Sequence, residues 1–281
     1  MKFKLLAIAA LLFVNVKSFS QDKNFYIFLC FGQSNMEGGA PIETRDVVWI
    51  DPRIKVLQAV DCVNLNRVKD KWYTAKPPLC RCWTGLSPAD YFARTVAANL
   101  PKNIKIGIIN VSIAGAKMEI YQQSEYKSYL TFTPDWMQGI AKDLGGNPYA
   151  RLVELAKMAQ KVGVIKGILL HQGESNKDDA QWTSRVKEVY DKLLADIKLT
   201  PNAVPLLAGE TVNADQGGIC ADMNKQIATL PKIIPNAYVI SSAGCTAGED
   251  KLHFDAAGCR ELGRRYGIKM LALLKKPTGF K

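Results

Sequence analysis

Two histidines limit the acid–base chemistry that this sequence of 281 residues can perform. Imidazole is the usual base for a serine nucleophile because its pKa lies near neutrality. Asp250 stands three residues before His253, a spacing that lets a carboxylate accept the Nδ1–H while Nε2 faces a serine. His171 has no acid just before it and is followed by Glu174. We therefore predict Asp250 and His253 as the acid–base pair, although without a partner serine the pattern is more typical of a surface loop before a capped helix.

Ser34 is the candidate nucleophile. It lies in the segment GQSNM at residues 32–36, directly after an apolar run over residues 25–31. A serine at a strand-to-helix turn exposes its hydroxyl and places its own backbone N–H at the positive end of the following helix. The alternative interpretation is a capping box formed by Ser34 and Glu37. The two interpretations are compatible, because a capping geometry also fixes the position of the hydroxyl.

Candidate donors for a developing oxyanion follow the next two apolar runs. Acyl transfer needs such donors, and backbone N–H groups of a tight glycine turn or a side-chain amide can supply them. Gly115 lies in the segment SIAG at residues 112–115, and Gln172 lies in HQGE at residues 171–174. Taken singly, Gly115 is equally well explained as a turn glycine and Gln172 as a structural amide.

Nearly continuous apolar runs of strand length predict the elements that position these residues. Such runs indicate strands buried on both faces, and amphipathic segments of helix length lie between them. The alternation predicts an α/β fold, a three-layer α/β/α sandwich with a five-stranded parallel sheet of the flavodoxin-like kind. The strands are predicted over residues 25–31, 104–111, 164–170, 204–208 and 237–241, and the helices over residues 88–100, 149–162, 180–199, 220–230 and 255–274. The candidate residues follow the carboxyl ends of the strands, where ligands bind in open parallel sheets.

The first 20 residues have the pattern of a cleaved signal peptide. Two lysines precede an apolar run over residues 5–14, and small residues stand at Ser18 and Ser20. A run of about 10 apolar residues is too short to cross a bilayer, which argues against a membrane anchor, and a buried first helix is the other alternative. We predict cleavage near Ser20, a single domain over residues 21–281, and a secreted or periplasmic location.

The formal net charge is +11, and the chain remains strongly basic when the predicted signal peptide is removed. A basic chain favours encounter with acidic polymers, and for an exported protein glycans that carry uronic acids are more plausible than nucleic acid. The alternative is that the charge reflects solubility alone. No nucleic-acid partner and no membrane span are predicted, and the oligomeric state is left open.

The sequence contains seven cysteines, and an oxidising compartment would allow some of them to form disulfides. Those in the stretch from Cys62 to Cys82 are candidates for pairing, and the odd number leaves at least one unpaired in a monomer. Cys30 in an apolar strand and Cys259 in a predicted helix are candidates for buried free thiols. The spacing of Cys80 and Cys82 is not a zinc signature, so neither a metal nor a cofactor is predicted.

The motifs together resemble one branch of a known superfamily. GQSNM at residues 32–36, Gly115, HQGES at residues 171–175 and the Asp250–His253 pair are similar to the sialate O-acetylesterase and carbohydrate esterase family six branch of the SGNH hydrolases. The resemblance implies a three-layer fold and covalent catalysis by a serine, a histidine and an aspartate. The catalytic residues that it implies are Ser34, Asp250 and His253, the oxyanion hole is formed by Ser34, Gly115 and Gln172, and the supporting residues are Gln33, Asn35 and Glu174.

The function implied by the resemblance is removal of acetyl esters from glycans. Acetylxylan or a related polysaccharide is the first choice of substrate, and 9-O-acetyl sialic acid is the second. A non-catalytic glycan-binding protein with the same fold is the alternative from another class. The sequence lacks the G-x-S-x-G, Walker, G-x-G-x-x-G and H-E-x-x-H motifs of other enzyme classes.

Two long excursions, residues 40–86 and 116–147, show no clear periodicity. Loops of this length are usually functional, and we expect them to determine specificity. Their aromatic side chains are candidates for stacking on sugar rings, although many of them are equally suited to packing the loops themselves. These aromatics are Trp49, Trp72, Tyr73, Trp83, Tyr121, Tyr126, Tyr129 and Trp136.

Overall fold

The computed structural model describes residues 21–275, so the predicted signal peptide lies outside the described residues. Within this range, seven strands form one sheet, and ten α-helices accompany it. The strands are β1 (Phe25–Gly32), β2 (Ile54–Leu57), β3 (Trp72–Thr74), β4 (Lys105–Ser112), β5 (Val164–His171), β6 (Leu206–Gly209) and β7 (Ala237–Ile240). The helices are α1 (Ser34–Glu37), α2 (Thr44–Val48), α3 (Pro88–Ala98), α4 (Tyr126–Thr131), α5 (Asp135–Asp143), α6 (Pro148–Gln160), α7 (Trp182–Asp196), α8 (Met223–Ile227), α9 (Leu230–Ile233) and α10 (Ala256–Leu274).

Strand β1 lies at the centre of the sheet, whose order is β3-β2-β4-β1-β5-β6-β7. Adjacent strands are parallel except at the edge, where β3 runs antiparallel to β2. Gly32 at the end of β1 pairs with Ser112 of β4 on one side and His171 of β5 on the other. The three polar segments that follow these strands therefore leave the sheet side by side.

The predicted α/β sandwich is confirmed, but its strand number is wrong. All five predicted strands are present, and β2 and β3 extend the sheet within the excursion over residues 40–86. β2 is a run of four residues interrupted by Lys55, and β3 has three partly or fully exposed residues, so neither is a continuous apolar run. The helix predicted over residues 220–230 is shorter, with α8 ending at Ile227 and a separate helix α9 beginning at Leu230. Pro231 in the first turn of α9 explains the break, because proline has no N–H to continue a preceding helix.

The core consists of two apolar layers on opposite faces of the sheet. Ile27, Leu29 and Phe31 of β1 join the layer that contains side chains of α6 and α7. Phe28 and Cys30 point the other way and join the layer that contains side chains of α3 and α10. Because both faces of β1 are buried, the strand is apolar at nearly every position. This packing fixes the central strand that carries the Ser34 turn.

Helices α3 and α10, which cover the second apolar layer, begin near their predicted starts with a side-chain cap. Ser87 Oγ accepts a hydrogen bond from Ala89 N at 3.2 Å at the start of α3, and Asp255 Oδ1 accepts one from Gly258 N at 2.7 Å at the start of α10. A side-chain cap of this kind stabilises a helix by about 1 kcal/mol. Helix α10 then crosses the sheet to the amino-terminal edge of the strands, where Leu274 lines a groove together with residues that begin β5 and precede β6.

A disulfide joins Cys62 and Cys82 within the first excursion, with the two Cα atoms 5.1 Å apart. It lies in the stretch where pairing was predicted. The other five cysteines are unpaired and buried, including Cys30 and Cys259, as the sequence indicated. The disulfide therefore cross-links the segment between β2 and α3 and leaves the sheet core free of covalent links.

Candidate active site

The turn that carries Ser34 depends on a glycine at the end of β1. Gly32 has a φ of +146°, and a Cβ at this position would lie 2.0 Å from the carbonyl oxygen of His171. The close approach lets Gln33 N donate to the same carbonyl oxygen at 3.0 Å. The chain then turns at once into α1, whose first residue is Ser34. A strand-to-helix turn is what the sequence predicted at this point.

The capping-box interpretation of Ser34 and Glu37 is wrong. The cap position of α1 is occupied by Gln33, and no side chain caps the helix. The Glu37 carboxylate instead accepts hydrogen bonds from Arg81 Nη2 at 2.6 Å and Ala114 N at 3.2 Å. It therefore ties the nucleophile turn to the loop after β4, and the Ser34 hydroxyl is left for another partner.

That partner is the imidazole of His253. Its Nε2 lies 2.7 Å from Ser34 Oγ, and its Nδ1 lies 2.6 Å from Asp250 Oδ2. The other carboxylate oxygen of Asp250 accepts the backbone N–H groups of Leu252 at 3.0 Å and His253 at 2.9 Å. The aspartate thus holds the loop in place. It also favours the imidazole tautomer that is protonated on Nδ1, in which a lone pair of Nε2 points at the serine hydroxyl.

Electrostatics keep the Asp250 carboxylate charged. Desolvation would raise its pKa, but hydrogen bonds from the backbone and the imidazole of His253, and from Leu252 N, outweigh it and lower the pKa to about 2. A carboxylate that is ionised near neutrality can stabilise an imidazolium next to it.

His171 occupies a different environment. It is fully buried, and neither ring nitrogen has a hydrogen-bond partner in the described part of the chain. Its Nε2 lies 3.3 Å from Glu174 Oε1, and its ring makes an edge contact with Phe254 at 5.6 Å between centroids. Of the two histidines, the structure places only His253 beside the candidate nucleophile.

Two backbone N–H groups are candidates for an oxyanion hole. Those of Ser34 and Gly115 donate to no acceptor among residues 21–275. Gly115 is exposed and has a φ of +66°, the left-handed conformation that glycine adopts without strain. Ser175 Oγ holds the loop by donating to the Gly115 carbonyl oxygen at 2.9 Å.

The side-chain amide of Gln172 is buried and firmly oriented. Its Oε1 accepts from Trp182 Nε1, and its Nε2 donates to Asn176 Oδ1 at 2.7 Å. The remaining acceptors of Nε2, Gln33 Oε1 and Ala116 O, are both 3.3 Å away, beyond the usual length of an N–H···O bond. One amide hydrogen is therefore held tightly, and the other is held weakly.

Gln33 connects the first and third loops, in keeping with the supporting position predicted for it. Its Oε1 also accepts from Ser175 N at 3.2 Å and from Gly173 N at 3.4 Å. Asn176 and Trp182, which orient Gln172, were not singled out from the sequence. The only local signal was that Asn176 stands four residues after Gln172, and the tryptophan contact is set by the start of α7.

The aromatic side chains of the excursions divide into two groups. Trp49, Trp83 and Trp136 are exposed. Tyr121 is wrongly assigned as a sugar-stacking candidate, because it is buried and its hydroxyl donates to Gly32 O at 2.8 Å. Trp72 packs against Phe25, with ring centroids 4.9 Å apart. Of these aromatic side chains, the three exposed tryptophans can therefore contact a ligand, and the buried Tyr121 cannot.

Within residues 21–275, no three histidine, cysteine, aspartate or glutamate side chains come together as metal ligands. None of the helices in this part of the chain has the length and hydropathy needed to cross a membrane.

A parallel sheet that presents a hydrogen-bonded serine, histidine and aspartate at its carboxyl edge is an arrangement of the serine hydrolase class. Residues 24–272 match the family described as "Carbohydrate esterase, sialic acid-specific acetylesterase". The chain belongs to this family and is a carboxylic ester hydrolase of the carbohydrate acetylesterase kind.

Solved structures share the fold at low sequence identity. A protein from Arabidopsis thaliana is 19% identical, with a TM-score of 0.69 over 88% of this chain and 98% of that one. A carbohydrate acetylesterase from Xanthomonas citri is 16% identical, with a TM-score of 0.60 over 86% of this chain and 55% of that one. NanS is 16% identical, with a TM-score of 0.58 over 91% of this chain and 99% of that one.

Proposed function

We propose that the protein is an exported carbohydrate O-acetylesterase that forms an acetyl-enzyme at Ser34. The observation that carries the proposal is the hydrogen-bonded chain from Ser34 through His253 to Asp250, with contacts of 2.7 and 2.6 Å. A nucleophile, a base and a group that orients the base are the parts that covalent ester hydrolysis requires. Export is supported by the N-terminal sequence pattern and by the disulfide, since disulfides persist in oxidising compartments.

In the first half of the reaction, Ser34 Oγ attacks the acetyl carbon as His253 Nε2 takes the hydroxyl proton. The imidazolium that forms is stabilised by the Asp250 carboxylate. The negative charge on the former carbonyl oxygen is met by the backbone N–H groups of Ser34 and Gly115. When the tetrahedral intermediate collapses, the bond to the sugar oxygen breaks, and His253 returns its proton to that oxygen.

Gln172 supplies the third oxyanion donor in this proposal. Trp182 and Asn176 fix the plane of its amide, and the weakly held amide hydrogen is the one available to a substrate oxygen. Donors that are oriented before the substrate arrives cost little reorganisation when charge develops. In the second half of the reaction, water attacks the acetyl-enzyme with His253 again acting as the base, and acetate leaves.

Two observations support the choice of acetylated sugar as substrate. The exposed tryptophans favour a polysaccharide such as acetylxylan. The family description, which names sialic acid, favours 9-O-acetyl sialic acid as the second candidate. Both substrates present an acetyl ester of a sugar hydroxyl to the same groups.

Acetate release from a panel of acetylated glycans tests the proposal, with Ser34→Ala and Ser184→Ala as a matched pair. Wild type and Ser184→Ala, whose serine is exposed on α7, are expected to release acetate, and Ser34→Ala is expected to release none while keeping its melting temperature. A serine-reactive phosphonate should label Ser34 alone. Activity of Ser34→Ala near that of wild type, or labelling at Ser175, would assign the chemistry to another residue.

A further inference from the structure

A groove of about 580 Å³ begins at Gly115 and extends away from the serine turn. It lies among the loop after β4, α4 and α5, and apart from Gly115 its lining residues belong to the excursion over residues 116–147. Its lining includes Lys117, Glu119, Glu125, Phe132 and Trp136. Because Gly115 both lines the groove and is a candidate oxyanion donor, the groove adjoins the candidate active site at this glycine.

Trp136 forms the wall of the groove nearest to Gly115. A Cβ built on Gly115 would lie 3.5 Å from Cη2 of the Trp136 indole, so the ring is in contact range of the glycine. The side chain is 52% exposed, whereas its neighbour Met137 is 3% exposed and anchors α5 in the core. The indole is therefore held in place by the helix, while much of its surface remains in contact with water.

The lining of the groove also contains a second aromatic ring and three charged groups. Phe132 is 86% exposed. Lys117 is exposed, as is Glu125, and Glu119 is half-buried with its Oε2 accepting from Asn176 Nδ2 at 3.0 Å. Two carboxylates against one ammonium give the lining an excess of hydrogen-bond acceptors with negative charge. Such a lining suits a ligand that donates hydroxyl hydrogens and repels one that carries its own carboxylate.

We infer that this groove binds a neutral sugar residue of the acetylated glycan and that Trp136 determines specificity for it. One apolar face of the sugar ring stacks on the indole, and its free hydroxyls donate to Glu119 and Glu125. The acetyl group attached to that sugar then reaches the Ser34 and Gly115 N–H groups past the edge of the indole. This inference rests on the proposed acetylesterase function and selects a neutral sugar over a sialic acid.

The test compares an acetylated xylo-oligosaccharide with 4-nitrophenyl acetate, which has the ester but no sugar. Trp136→Ala should raise the KM for the oligosaccharide about tenfold with little change in kcat, the loss expected for one aromatic stacking contact. Its kcat/KM for 4-nitrophenyl acetate should stay at the wild-type value. Trp136→Phe keeps a ring and should recover part of the KM. Ile268→Ala removes an apolar side chain that is 47% exposed on α10 and does not line the groove, and it should change the KM for neither substrate.

An unchanged oligosaccharide KM in Trp136→Ala would overturn the groove assignment and leave the acetylesterase function standing. Equal losses on both substrates in Trp136→Ala and Trp136→Phe would also overturn it, because they would show a structural role. A wild-type enzyme that cleaves 4-nitrophenyl acetate but no acetylated sugar would overturn the proposed function itself.

Charge variants test the class of sugar. Glu125→Gln should raise the KM for the neutral oligosaccharide, and Lys127→Ala, at an exposed lysine that does not line the groove, should leave it unchanged. If 9-O-acetyl sialic acid instead has the lower KM, and Lys117→Ala raises that KM while Glu125→Gln does not, the groove binds a carboxylated sugar and the inference of a neutral one is overturned.

Discussion

Asn35 and Glu174 join the turn that carries Ser34 to the loop that carries His253. The Asn35 amide nitrogen donates to Glu174 Oε1 at 2.8 Å and to Leu252 O at 3.2 Å, and its Oδ1 accepts from Phe254 N at 3.1 Å. Leu252 and Phe254 are the two neighbours of His253 in the chain. A single side chain, oriented by a buried carboxylate, therefore sets the distance between the serine and the imidazole.

We expect Asn35→Ala to lower kcat by roughly tenfold to a hundredfold, because a small displacement of the base from the nucleophile is costly. KM should change little. Asn99→Ala is the control, since Asn99 makes only a local bond to Thr95 O on the surface. Steady-state kinetics and a crystal structure of the variant together check the prediction. A normal kcat with a normal His253 position would show that the loop is held by other contacts.

Variants of Asp250 and Asp255 distinguish a role in catalysis from a role in helix capping. Asp250→Asn should keep the fold but lower turnover by about ten-thousandfold, as when the orienting carboxylate of a serine triad is lost. Asp255→Ala removes the cap of α10 and should cost about 1 kcal/mol of stability with near-normal turnover. Thermal melts and kinetics on the same preparations distinguish them, and exchanged effects would make Asp255 the orienting acid.

The charge of Asp250 also predicts a pH dependence of stability. Its folded pKa of about 2 is below the value of about 3.9 for an unperturbed aspartate. The stabilisation it supplies is therefore fully present well above pH 4 and is lost as the pH falls toward 2. We expect the difference in free energy of unfolding between wild type and Asp250→Asn to shrink over this interval. Urea denaturation at a series of pH values measures it, and a constant difference would contradict the lowered pKa.

Gln172→Ala should reduce turnover by roughly a hundredfold with little change in substrate binding, the pattern for loss of one oxyanion donor. It should also lower the melting temperature, because Trp182 Nε1 and Asn176 lose a buried partner. Gln160→Ala is the control, since that amide bonds Ile197 O away from the site. A less stable variant whose folded fraction keeps normal turnover would restrict Gln172 to a structural role.

The sequence was most informative where the physical signal is local. β1, β4 and β5 were predicted because each is a long apolar run, and the carboxyl-edge rule then placed Ser34 and Gln172 on adjacent segments. The spacing of Asp250 and His253 likewise matches the contact between their side chains. These features depend on neighbours in the chain or on one general property of parallel sheets.

Features that depend on distant contacts were not predicted. Glu37 fits a local capping pattern, yet it pairs with Arg81, 44 positions along the chain. Trp136 was one aromatic among many, and nothing in its sequence neighbours places it beside Gly115. β3 consists of strand-favouring residue types but has only three residues, too few to be recognised without its pairing to β2. Tertiary packing decides each of these outcomes.

Helix α10 starts beside His253 and ends at the opposite edge of the sheet, where Gln21 is also held by hydrogen bonds from its amide to Gln160 O at 2.9 Å and Gly163 O at 2.7 Å. Both ends of the described chain therefore emerge on the side of the molecule facing away from the serine. An enzyme attached to a solid support through either of these ends would have its active site facing the solution. This orientation favours action on substrates that are too large to enter the space between the enzyme and the support.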